Sequence, residues 1–179
     1  LHCFAPLCTQ STPRSQINAI CAIFHQFNGG VFMDTIKVNK KNTLMVAHRG
    51  LSSIEPENTL SAFVAAGNRS YFGIECDVHV TKDGKFVVIH DAETGRVAKE
   101  NINVEESTFE EVRKILLDNF SRKEKSMFPD QHLQNRGDLI IPSMSEYVSI
   151  CKKYDKKCIL EIKGEWSVEN IDNMIEEIK

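Results

Sequence analysis

At 179 residues, with 41% hydrophobic and 26% charged positions, the chain has enough apolar material for one domain with a sizeable core, and it is neither fibrous nor disordered throughout. A formal net charge of -3 excludes general attraction to nucleic acid or to an anionic membrane surface, so an anionic substrate has to be held locally, by a few cations or a metal. No apolar run approaches the ~18 residues that span a bilayer, and the six cysteines have no zinc-like spacing, which fits free thiols in a reducing, cytoplasmic setting.

Residues 1–32 contain no Asp or Glu and read as a disordered or adventitious extension ahead of a domain over 33–179. The short apolar run Thr43–Ala47 predicts a buried strand that delivers His48 and Arg49 at its end. Pro56, with Asn58 or Thr59 as N-cap, opens a helix with Leu60, Phe63 and Val64 at helical spacing. From Ile74 to Thr81 the lettering alternates, with Glu75, Asp77 and His79 on one face and Ile74, Cys76, Val78 and Val80 on the other. Lys82-Asp83-Gly84-Lys85 is a turn signal, and Phe86–Ile89 is a further apolar strand that ends on His90-Asp91.

Residues 92–141 read as a long polar insertion with one helix of its own, opened by the capping box Thr108-Phe109-Glu110-Glu111. Its Ser121–Gly137 part reads as a charged, solvated stretch. A second capping box, Ser143 to Glu146, opens a helix with Tyr147, Val148, Cys151 and Tyr154 inward. Lys157–Lys163 reads as a strand with Glu161 and Lys163 on one face, and a last helix aligns Ile171, Met174, Ile175 and Ile178 as a core stripe. This alternation predicts a parallel α/β architecture with its ligand site at the carboxyl ends of the strands.

Glu75, Asp77 and Glu161, at the ends of two strands, form an all-oxygen set suited to Mg2+ or Ca2+ rather than zinc. Three such carboxylates together need a cation, because like charges in a low-dielectric mouth oppose one another's ionisation. His48 and His90 end separate strands and can divide proton transfers between them, with Arg49 and Lys163 as nearby cations.

Taken together, His48-Arg49, Pro56-Glu57-Asn58-Thr59, Glu75-x-Asp77, Thr81-Lys82-Asp83-Gly84, His90-Asp91 and Glu161-Ile162-Lys163 resemble the glycerophosphodiester phosphodiesterase family over about residues 44–164. The resemblance implies a TIM barrel of the (β/α)8 type, of which this length supplies about the first four β/α units, since a full barrel takes about 250 residues. It implies metal-dependent hydrolysis of glycerophosphodiesters to sn-glycerol 3-phosphate and an alcohol. Glu75, Asp77 and Glu161 would ligate the metal, His48 and His90 would be general acid and base in an order left open, and Arg49 and Lys163 would bind the phosphate. Glu57 and Asn58 would pin the Arg49 loop. The nucleophile stays open between water and the substrate's neighbouring glycerol hydroxyl. Two other readings are a lysophospholipid or phosphoinositide phosphodiesterase on the same barrel, and a non-catalytic fragment or binding module. An open barrel edge is expected to leave the chain weakly folded, dimeric through that edge, or weakly active.

Overall fold

The computed structural model describes residues 21–24, 36–37, 42–117 and 136–179; most of 1–32 and the charged stretch before Arg136 lie outside them. One sheet contains five strands, β1 (Cys21–Phe24), β2 (Val46–Ala47), β3 (Gly73–Val80), β4 (Phe86–Val88) and β5 (Lys157–Ile162), in the order β1-β5-β3-β2 with β4 also on β3. β2, β3 and β5 run parallel, as the α/β alternation predicts. β4 runs antiparallel to the outer half of β3, pairing Val78 with Val88 and Val80 with Phe86. The parallel staves are therefore three, and Phe86–Val88 is the return arm of a hairpin. Its turn is closed by the Thr81 hydroxyl, which donates to Asp83 Oδ1 (2.7 Å), and by Gly84 at φ +73°. Cys21–Phe24, within the segment expected to stand apart from the domain, pairs antiparallel with β5 and lies along that strand's far side.

Four helices are described, α1 (Leu60–Gly67), α2 (Phe109–Val112), α3 (Met144–Lys153) and α4 (Val168–Ile178). Thr59 and Ser167 cap α1 and α4, and both capping boxes form, Thr108 with Glu111 and Ser143 with Glu146. Each such cap stabilises its helix start by ~1 kcal/mol, because it satisfies a backbone N–H that has no partner within the helix.

The main core lies between the sheet and the helices, where Phe63 of α1, Met144 and Tyr147 of α3, and Ile74, Val78 and Leu160 of the strands are fully buried. The Tyr147 hydroxyl donates to Ile74 O (2.6 Å) and accepts from Ile159 N (2.9 Å), so one side chain ties α3 to both β3 and β5. The α4 stripe is half covered: Met174 and Ile178 are buried, while Ile175 remains exposed.

A second core sits under the insertion. Val97, Val104, Val112, Ile115 and Leu117 close over Val87 and Ile89. The described parts of the insertion, 92–117 and 136–141, are thus packed rather than a polar loop. Its apolar residues follow neither a helical nor a strand period, and isolated bridges such as Glu93–Asn103 and Ala98–Leu117 hold it. No described helix is long and apolar enough to cross a membrane.

Candidate metal and phosphate site

The parallel register sets Asp77 directly beside Glu161 and Glu75 beside Ile159. Alternation along β3 puts Glu75 and Asp77 on one face, and one ligand oxygen from each of Glu75, Asp77 and Glu161 lies within 4.8 Å of the others. Asp77 is wholly buried and Glu75 nearly so. Glu75 Oε1 and Asp77 Oδ1 are both buried without a hydrogen-bond partner, a costly arrangement for carboxylates and one that a hard cation would satisfy. The residues therefore fit a divalent ion. Burial pushes Glu75 up to about 7, against the hydrogen bond it accepts from Arg49 and with further upward push from the charges of Asp77 and Glu161.

Lys163 lies at the same oxygens. Its Nζ donates to Glu161 Oε1 (2.7 Å) and is 3.2 Å from Asp77 Oδ1, near enough for attraction though not aligned as a hydrogen bond. Burial opposes its charge, but the two carboxylates outweigh that and hold the ammonium above its ordinary value.

Arg49 adopts φ +54° and Asn58 φ +55°, left-handed conformations that non-glycine residues seldom hold unless their surroundings enforce them. Here the enforcement is visible. The Arg49 N–H donates to Glu75 Oε2 (2.7 Å), Asn58 N donates back to Arg49 O (3.1 Å), and Asn58 Nδ2 donates to Asp77 Oδ2 (2.8 Å). Between them, Gly50 at φ +75° passes so close to α1 that a Cβ would lie 2.8 Å from the Ala62 carbonyl carbon. The Arg49 side chain donates from Nη1 to Glu57 Oε1 (3.0 Å), and its Nε lies 3.4 Å from Asp77 Oδ2.

His48 is largely solvent-exposed, with Nε2 4.0 Å from Glu75 Oε2. His90 follows Ile89, whose N–H donates to Asp77 O (3.0 Å) and so anchors the histidine at the carboxylate end of β3. Its Nδ1 is 2.6 Å from Asp91 Oδ1. Burial pushes the Asp91 carboxyl up, but the bonds from Arg96 and His90 outweigh it and hold it below its ordinary value, so Asp91 is an ionised acceptor and His90 Nδ1 is the donor.

This constellation has known counterparts. Residues 48–179 match the family described as the Glycerophosphoryl diester phosphodiesterase family. The chain belongs to that family. A glycerophosphodiester phosphodiesterase of Caldanaerobacter subterraneus is 47% identical over 73 residues, 41% of this chain and 30% of that protein. Glycerophosphodiester phosphodiesterase 1 of Mus musculus is 33% identical over 119 residues, 66% of this chain and 33% of that protein. In three dimensions, a phosphodiesterase of Oleispira antarctica solved with the product sn-glycerol-3-phosphate superposes with a TM-score of 0.62 at 23% identity, over 76% of this chain and 51% of that one. The matched region is thus about a third of those two relatives, and the fold is part of the family's TIM barrel.

In this phosphodiesterase family member the insertion contributes residues that sequence reasoning missed. Arg96, in a short 3-10 turn over Thr94–Arg96, donates through Nη2 to Glu57 Oε1 (2.7 Å) and through Nη1 to Glu57 Oε2 (3.1 Å), and its Nε reaches Asp91 Oδ2. Glu105 Oε1 lies 2.7 Å from His79 Nδ1, while His79 Nε2 lies 3.1 Å from His90 O. His79, which shares the face of Glu75 and Asp77 in the lettering, is buried and engaged at both ring nitrogens. A Cβ on Gly164 would collide with the Glu105 carboxylate, so the insertion also packs against the chain just after Lys163. The signal for Arg96 and Glu105 was absent from periodicity, because both lie in irregular backbone.

Proposed function

We propose that this chain carries the metal- and histidine-bearing part of a site that hydrolyses glycerophosphodiesters to sn-glycerol 3-phosphate and an alcohol. The observation that carries the reading is the gathering of Glu75, Asp77 and Glu161 oxygens within 4.8 Å of one another, two of them buried carboxylates with an unpartnered oxygen. Membership in the phosphodiesterase family and the product bound to the Oleispira relative support the substrate class.

Glu75, Asp77 and Glu161 would hold the ion, Mg2+ or Ca2+ by their all-oxygen chemistry. A bound divalent ion supplies Lewis-acid neutralisation of the non-bridging phosphate oxygens. Hydrolysis also requires one proton taken from the attacking oxygen and one delivered to the leaving oxygen. With Nδ1 committed to Asp91, His90 offers Nε2 for one of these transfers, and His48, open to solvent beside Glu75, offers the other. Arg49 and Lys163 add positive charge where phosphate would lie; Arg49 Nε is a buried donor with no hydrogen-bond partner. Free, buried thiols at Cys76, Cys151 and Cys158 support a reducing, cytoplasmic setting.

The test is release of glycerol 3-phosphate from glycerophosphocholine and glycerophosphoethanolamine by the full-length protein, with Mg2+, with Ca2+ and with EDTA. EDTA should abolish release, and His48→Ala and His90→Ala should each lower kcat by about 10²–10⁴-fold. Full activity in both His48→Ala and Glu75→Ala would remove the assignment.

A further inference from the structure

Two of the proposed site residues, His90 and Arg49, come from different loops and do not depend on the same strand. His90 Nδ1 donates to Asp91 Oδ1, and Arg49 Nη1 donates to Glu57 Oε1. Both supporting carboxylates are completed by one side chain. The Arg96 guanidinium takes Asp91 Oδ2 with Nε and spans both oxygens of Glu57 with Nη1 and Nη2. Every carboxylate oxygen in the chain His90–Asp91–Arg96–Glu57–Arg49 is therefore occupied, and the ladder continues through Arg49 to Glu75 and Asp77.

We propose that Arg96 is a positioning residue that fixes His90 and Arg49 in one frame across the mouth of the carboxylate cluster, an inference that rests on the functional reading above. Isolated surface ion pairs contribute little. This arrangement differs because the planar fork is shared between two carboxylates, one of them bidentate, and each already holds a site residue. Removing the fork frees Asp91 to rotate away from His90. It also leaves Glu57 with an excess negative charge that draws on Arg49 alone. Neither change removes a group that Glu75, Asp77 or Glu161 contacts directly, so ion binding is expected to persist while turnover falls.

The experiment compares wild-type, Arg96→Met and Arg96→Lys forms of the full-length, ion-loaded protein. Glycerophosphocholine turnover is followed across pH, ion affinity by calorimetric titration with Mg2+ or Ca2+ alone, and the His90 imidazole by ¹⁵N NMR. In Arg96→Met, kcat should fall about 10–100-fold, as for supporting partners of catalytic ligands. The pH profile should shift and the His90 Nδ1–H signal should exchange faster, with ion affinity within about threefold of wild type. Lysine, which cannot bridge two carboxylates with a fork, should restore only part of kcat. A folded Arg96→Met protein with wild-type kcat, pH profile and His90 signal would overturn the proposal. If Arg96→Met does not fold, Arg96→Lys decides by the same criteria. Should the wild-type protein cleave no glycerophosphodiester with either ion, the functional reading fails, and the NMR comparison alone then decides whether Arg96 holds His90.

Discussion

Glu75 faces two demands. Its Oε2 accepts the Arg49 N–H, while its Oε1 is buried with no partner and two further carboxylates stand beside it. In the folded protein without an ion it keeps its proton up to about 7, against an ordinary value of 4.5. A raised carboxyl stabilises the fold when protonated, so that contribution is whole below about pH 4.5 and lost as pH climbs through 7. Its full size is about 3 kcal/mol. Thermal unfolding of the ion-free protein should therefore show Tm declining over this window, and Glu75→Gln should flatten the decline. Added Mg2+ or Ca2+ should raise Tm more at pH 8 than at pH 6, since the ion favours the ionised carboxylates. The pairing of Glu75 with Asp77 was legible in the letters because a strand's two-residue period forces them to one side. The partnership of Arg96 with Glu57, 39 positions apart, was not, since no local rule relates a 3-10 turn to a distant loop.

At the scale of elements, the start and most of the inner face of α3 were readable from spacing: its capping box forms and Tyr147, Val148 and Cys151 are buried, while Tyr154 falls on the C-cap and is only half-buried. What spacing does not convey is the role of the Tyr147 hydroxyl, buried between two strands that it bonds simultaneously. Tyr147→Phe keeps the ring and its edge-on contact with Phe63 but removes the hydroxyl's bonds to Ile74 O and Ile159 N. The expected cost is about 1–3 kcal/mol, read by denaturant unfolding as a lower midpoint at unchanged slope. β4 illustrates the opposite case. Its apolar lettering suits a buried strand in either direction, and only the tight Thr81–Lys85 turn makes it return antiparallel. The insertion was the least legible element, because Val97, Val104 and Leu117 are buried without any repeating interval.

For the molecule as a whole, parallel α/β organisation and the gathering of Glu75, Asp77 and Glu161 were both legible, since alternating strand and helix patterns leave few other packings. The pairing of Cys21–Phe24 with β5 was not, because a four-residue apolar segment gives no hint of its partner. Neither was the division of the interior into two cores. β4 lies between them: Phe86 and Val88 belong to the core beneath α3, and Val87 faces the core beneath the insertion. A strand with both sides committed cannot detach from one hydrophobic mass without exposing the other. Melting of this unit should consequently be all-or-none, with a single calorimetric peak whose van't Hoff and integrated enthalpies agree.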